Sequence, residues 1–129
     1  DNRSSRGLGD VYKRQGYRFE HESGASFVHS GDSGPCKPLY DAIERSHLAI
    51  MEMGFPDWVP STHHHKPKDI LAFSERCNTP LGITHTYIDD ESPYPKLLED
   101  TAPDFAPHVV QLHDGDLLRW NGKSWEFAQ

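Results

Sequence analysis

Three short apolar runs in this 129-residue chain each end in a polar residue able to do chemistry, and the stretches between them are helix-like or loop-like in pattern. Ala25-Ser26-Phe27-Val28-His29-Ser30-Gly31 ends at Asp32, Leu48-Ala49-Ile50-Met51 at Glu52, and Leu81-Gly82-Ile83-Thr84 at His85. Short apolar runs bounded by turn signals read as buried strands. Where such strands alternate with helices, right-handed crossovers make neighbours parallel and bring their carboxyl ends to one sheet edge. Open α/β sheets hold their ligands at that edge. Two carboxylates and an imidazole gathered there suit a metal site or acid–base chemistry.

The intervening segments carry their own punctuation. Residues 17–22 and 25–30 read as two strands of a hairpin around Ser23-Gly24. Pro38 suits a first helical position, and Leu39, Ala42 and Ile43 form one apolar stripe, which predicts a helix ending near Ser46. Residues 47–51 are the next buried strand. A second helix starts around Pro67, with Ile70, Phe73 and Cys77 at spacings of three and four, and stops near Asn78 ahead of Pro80. Residues 80–84 form the third strand. Pro93, Pro95, Pro103 and Pro107 among many acids make 89–107 an irregular surface loop, with one short helix expected over 96–100. Residues 109–112, 117–120 and 125–127, separated by Asp114-Gly115 and Asn121-Gly122, read as a terminal β meander in which Trp120 and Trp125 pack.

The charge balance narrows the partners. The chain holds 13 basic and 20 acidic residues, a formal net charge of −7. Residues 1–15 contain four of the basic residues (Arg3, Arg6, Lys13, Arg14) and two of the acidic ones (Asp1, Asp10), so the remainder is more acidic still. A broad nucleic-acid footprint needs clustered Lys and Arg to release counterions from phosphates, and an acidic body disfavours it. A small phosphorylated ligand held by metal ions stays compatible with that charge. With 35% hydrophobic residues and no apolar run near membrane-spanning length, the chain reads as a soluble, cytoplasmic body with a moderate core and no membrane partner. Cys36 and Cys77, 41 positions apart and without a Cys-x-x-Cys partner, read as reduced thiols.

Ser30-Gly31-Asp32-Ser33-Gly34, Ile50-Met51-Glu52, the histidine run ending at His65, and Ile83-Thr84-His85 carry a resemblance through their order and spacing. Together they resemble the C-terminal half of the metallo-β-lactamase superfamily of metal-dependent hydrolases, nearest its phosphodiesterase and ribonuclease Z-like branch. The resemblance implies an α+β (α/β-like) fold over residues 16–129: the truncated C-terminal half of a four-layer αββα sandwich. It implies two divalent metal ions, zinc with manganese or iron as alternatives, with Asp32 bridging them and His85 binding one. It also implies that His65 protonates the leaving oxygen, and that Glu52 orients this imidazole and favours its charged form. His63 is the next candidate, and His64 is expected to point to solvent.

The implied activity of the intact protein is attack of a metal-bound hydroxide on a phosphodiester, or on an ester or lactone carbonyl of a small-molecule substrate. Two alternatives stand beside it: a ribonuclease acting on tRNA 3′ ends, and a non-catalytic binding module that keeps the fold. The family's His-x-His-x-Asp-His motif belongs to an earlier half and does not occur in this sequence. The missing N-terminal half is therefore the expected partner, and the fragment alone is expected to be inactive. An open sheet face would also favour association of two copies as a homodimer. Asp10-Val11-Tyr12-Lys13-Arg14-Gln15 resembles the translated transposon-end adapter of DNA sequencing libraries, a hexapeptide found at the ends of metagenomic genes. Residues 1–15 are accordingly expected to be an artefact or a disordered tail outside the fold.

Each candidate also has a plainer reading. Asp32 alone fits a turn former, His85 a core histidine, and the run 63–65 a solvated loop. Convergence at one edge shifts the balance. A carboxylate between two cations offsets their mutual repulsion, and His with Asp but no thiolate suits zinc, manganese or iron in a catalytic site. Phe55-Pro56-Asp57-Trp58-Val59, between Glu52 and the histidines, either lines an apolar pocket or caps the core.

Overall fold

The computed structural model describes residues 3–7, 15–61, 63–84 and 104–128. Strand β1 (Arg3–Gly7) precedes β2 (Gln15–His21) and β3 (Ser26–Gly31). Helix α1 (Lys37–Glu44), β4 (Ala49–Glu52), α2 (Pro67–Arg76) and β5 (Leu81–Thr84) follow, then β6 (Val109–Gln111), β7 (Leu118–Trp120) and β8 (Trp125–Phe127). Six strands form one sheet in the order β1-β2-β3-β4-β5-β6, and β7 and β8 form a separate pair. The architecture is mixed α/β, with helices covering a largely parallel sheet.

The three apolar runs are adjacent and parallel, as their pattern predicts. Val28 lies opposite Ala49, and Met51 and Glu52 lie opposite Ile83 and Thr84. Their carboxyl ends therefore share one edge. The helices form where apolar residues recur at helical spacing. In α1, Pro38 occupies the first turn and Leu39, Ala42 and Ile43 are buried. In α2, the Lys66 backbone N–H donates to Asp69 Oδ2 at 3.0 Å, which satisfies one of the orphan amides at the helix start. Ile70 and Phe73 then turn inward beside Val28, Met51, Leu81 and Ile83, each at most 1% exposed. Burying each such side chain contributes roughly 1.5–3 kcal/mol, so this helix-covered face supplies most of the fold's apolar stabilisation.

Two glycines are dictated by the backbone. Gly31 has φ of +60°, the left-handed region that side chains disfavour, and it begins the turn that carries Asp32. At Gly16 an added Cβ would stand 1.3 Å from the His29 carbonyl oxygen, so only glycine lets β2 approach β3 there.

Two expectations are corrected. The terminal segment is no meander: β6 leaves β7 and extends the main sheet, pairing parallel to β5 with Leu81 opposite Val109. The outer edge of β5 offers unpaired amides and carbonyls, and β6 fills them, with Leu112 N–H donating to the Ile83 carbonyl at 2.8 Å. The Asp114-Gly115 turn is closed by Asp116 N–H on the His113 carbonyl and by His113 N–H on Asp116 Oδ2, and it redirects the chain instead of making a hairpin. Secondly, residues 3–7, expected to lie outside the fold, pair with β2 in antiparallel register, Arg3 opposite His21 and Gly7 opposite Tyr17. Backbone pairing along a free edge asks little of the side chains, which is why a segment of unremarkable composition can fill it. The short helix expected over 96–100 lies outside the described residues, as does most of the loop around it.

The β7–β8 hairpin lies against the sheet face opposite the helices. Trp125 Nε1–H donates to the Ser26 carbonyl at 2.9 Å, and its ring meets Phe27 edge-on at 5.9 Å. Trp120 packs on His47 at 4.8 Å. Both tryptophans are thus packing residues. Among the described residues no helix is long and apolar enough to cross a membrane.

Candidate functional site

The site begins with how the ends of β3 and β4 are tied together. Ser30 Oγ accepts the Glu52 backbone N–H at 3.2 Å and donates to the Gly31 carbonyl at 2.9 Å. Beyond that tie, Asp32 projects as an exposed carboxylate at the carboxyl edge of the sheet, in the turn between β3 and α1. His85 follows Thr84, the last residue of β5, and lies outside the described residues.

Glu52 is 3% exposed at the end of β4, and its carboxylate organises the next loop. Oε2 accepts the Gly54 N–H at 2.7 Å, while Oε1 accepts both the His65 backbone N–H at 3.1 Å and His64 Nδ1–H at 3.0 Å. Burial pushes the Glu52 pKa up, and the Gly54 amide and the His64 ring act against that rise. Turn amides and an imidazole together make a buried carboxylate tolerable. Phe55 lies over the His64 ring with centroids 4.4 Å apart, so the aromatic loop holds this imidazole from its other side.

This geometry corrects the expected pairing. Glu52 holds the ring of His64, the histidine expected to face solvent, and only the backbone of His65. Nor does the structure present the His65 ring to a ligand. That ring is fully buried, with Nδ1–H donating to the Ser33 carbonyl at 2.5 Å and Nε2 accepting from the Tyr40 hydroxyl at 3.1 Å. Burial pushes its pKa down to about 4, so His65 is neutral where it was expected to be charged. His63 is exposed, its backbone N–H donating to Ser61 Oγ at 3.2 Å. Tyr40 and the Ser33 carbonyl escaped the sequence reading. The only signal for Tyr40 is a polar-tipped aromatic flanking the apolar stripe of α1, and backbone carbonyls leave none.

Within the loop 55–59, Pro56 is buried and Trp58 is 46% exposed, while Asp57 Oδ1 accepts the Lys68 N–H at 3.1 Å near the start of α2. A cavity of about 490 Å³ lies along the sheet face opposite the helices, bordered by Phe27, His29, Ile50, Thr84, His113 and Trp125.

Among the described residues there is no group of three or more His, Cys, Asp and Glu side chains placed to hold a metal ion. Asp32 offers an open carboxylate, but the described residues do not by themselves make a metal centre.

No protein-family model and no curated protein matches the chain. Among solved structures it is similar to the metallo-beta-lactamase fold protein YhfI from Bacillus subtilis, at 20% identity and a TM-score of 0.47, over 55% of this chain and 30% of that one. It is also similar to human tRNase Z, short form (ELAC1), at 19% identity and a TM-score of 0.45, over 55% of this chain and 30% of that one. The match thus spans less than a third of the length of either neighbour.

Proposed function

We propose that this chain is the C-terminal part of a metal-dependent hydrolase of the metallo-β-lactamase type, acting on a phosphodiester. The observation that supports this reading best is the parallel neighbouring of β3, β4 and β5, which puts Asp32 and the Glu52–His64 pair on one sheet edge, with His85 following β5. Asp32 and His85 would each supply a ligand to divalent cations, zinc, manganese or iron, and sequence beyond these 129 residues would supply the rest. Bound cations of that kind contribute charge stabilisation at the reacting phosphoryl oxygens.

The chain's own residues do the positioning and the proton work. Glu52 keeps the Nδ1 proton of His64 directed at itself, which leaves Nε2 to hold a proton at the leaving oxygen. In this reading His64 takes the role that the family resemblance implied for His65. The loop bearing Phe55 excludes water from the back of the His64 ring.

The test uses the intact protein that contains these residues. Asp32→Ala should lower metal content and phosphodiester hydrolysis together. His64→Ala should keep its metal while slowing hydrolysis by about 10²–10⁴-fold on an alkyl phosphodiester, and less on an aryl ester whose leaving group needs little protonation. Wild-type protein that binds no metal and hydrolyses neither ester would instead establish a non-catalytic module on this fold.

A further inference from the structure

Three chain segments meet at His65, and each is held by a different atom of it. The ring Nδ1–H reaches the Ser33 carbonyl in the turn after β3, the ring Nε2 takes the Tyr40 hydroxyl of α1, and the backbone N–H reaches Glu52 Oε1 at the end of β4. A carbonyl oxygen can only accept, so the proton must sit on Nδ1; Nε2 is then bare and must accept from Tyr40. The opposite tautomer would set a nitrogen lone pair against the Ser33 carbonyl and an N–H against the Tyr40 O–H. In a fully buried site that forfeits two hydrogen bonds with no water to replace them. Tyr40 is itself fixed, its ring stacked on Phe73 at 4.0 Å and 13° with the Arg76 guanidinium 5.3 Å from its centroid.

We propose that His65 is a positioning residue, whose single tautomer ties the turn bearing Asp32 to the loop bearing Glu52 and His64. The turn is pinned on both flanks of Asp32: Ser30 by the Glu52 amide and Ser33 by the His65 ring. Glu52 receives the His65 backbone and the His64 ring on one oxygen, so a shift of His65 moves the acid and the imidazole together. The clamp holds the exposed Asp32 carboxylate and the His64 ring in a fixed relative placement. Its meaning for catalysis rests on the hydrolase reading above; its existence does not.

The experiment uses the ¹⁵N,¹³C-labelled chain as it stands. Long-range imidazole spectra at pH 7 should place the His65 proton on Nδ1. In Tyr40→Phe, which keeps the ring stack on Phe73, amide exchange at Glu52, Gly54 and His65 should rise about tenfold, the equivalent of one lost hydrogen bond of about 1.4 kcal/mol. Exchange in α2 and β5 should stay within about twofold. In His65→Phe, which removes the donor, the Ser33 carbonyl resonance should move as well. A proton on Nε2 overturns the proposal, and so does a uniform rise of exchange through α2 and β5, which would mean that His65 is merely core. The two readings fail separately. An Nε2 proton would leave an Asp32-dependent loss of metal intact, and a protein that binds no metal would leave the tautomer and the selective exchange intact.

Discussion

The two faces of the main sheet are built from alternate residues of the same strands, yet they reach opposite ends. On one face Val28, Ala49, Met51, Leu81 and Ile83 are at most 1% exposed beneath α1 and α2. On the other, Phe27 and Ile50 are half-buried, Tyr17 is 48% exposed, and a two-stranded hairpin is the main cover. Even that cover is incomplete, because a cavity of about 490 Å³ lies along this face, bordered by Phe27, Ile50 and Trp125. A helix carries a wide apolar stripe that seals a sheet face, whereas a short hairpin seals only what its two tryptophans reach.

The largest test of that contrast is Phe73→Ala. Removing the ring from the sealed face should cost about 3–5 kcal/mol in urea unfolding, whereas Ile50→Ala on the open face should cost about 1–2 kcal/mol, because a half-buried side chain loses less on truncation. Equal costs would mean that the two faces are equally packed.

Next in size is a pH effect from the sealed side. His65 has a folded pKa of about 4 against an ordinary value of 6.5, so below 6.5 the unfolded chain takes up a proton that the folded chain refuses. The stability contributed by keeping His65 neutral is fully present above pH 6.5 and is lost as pH falls towards 4, about 3 kcal/mol across that window. Glu52 works the other way, since its raised pKa lets the folded state keep a proton that the unfolded state has released. Urea midpoints from pH 7.5 to 4 in the wild type and in His65→Asn isolate the histidine. A parallel fall in both proteins would remove His65 as its source.

Smaller again is Trp125→Phe, which keeps the packing on Phe27 but loses the hydrogen bond to the Ser26 carbonyl. It should cost about 1 kcal/mol and raise binding of a hydrophobic-surface dye, as the hairpin loosens over the open face. No change in dye binding would show that the hairpin does not guard that face. Smallest of all is Asp32→Asn. An exposed turn carboxylate off both faces should change stability by less than about 0.5 kcal/mol, and a larger loss would make Asp32 a structural residue and weaken the case for it as a ligand.

Much of the frame was legible from residue pattern alone. The helix stripes Leu39, Ala42, Ile43 and Ile70, Phe73, Cys77 are buried as their spacing predicts, and the runs ending at Asp32 and Glu52 are parallel neighbours. The site was legible to the level of its loops and not of its rings. Between His63, His64 and His65 there is no periodicity to say which faces in, because the segment is neither helix nor strand. The choice follows from competition among contacts: the Ser33 carbonyl and the Tyr40 hydroxyl capture His65, and the remaining oxygen capacity of Glu52 captures His64.

What the sequence determined by itself is the alternation of strands and helices from β2 to β5 and the edge at which Asp32 and Glu52 emerge. Both follow from local signals, since hydrophobic period, Pro and Gly placement and the hand of crossover connections act over a few residues to one βαβ unit. Only the tertiary structure decided that β6 joins β5 and not β7, which imidazole meets Glu52, and that His65 is locked in one tautomer. Those outcomes depend on which buried donors and acceptors meet across 12 to 32 residues of chain, and the free-energy cost of leaving any of them unpaired makes the selection.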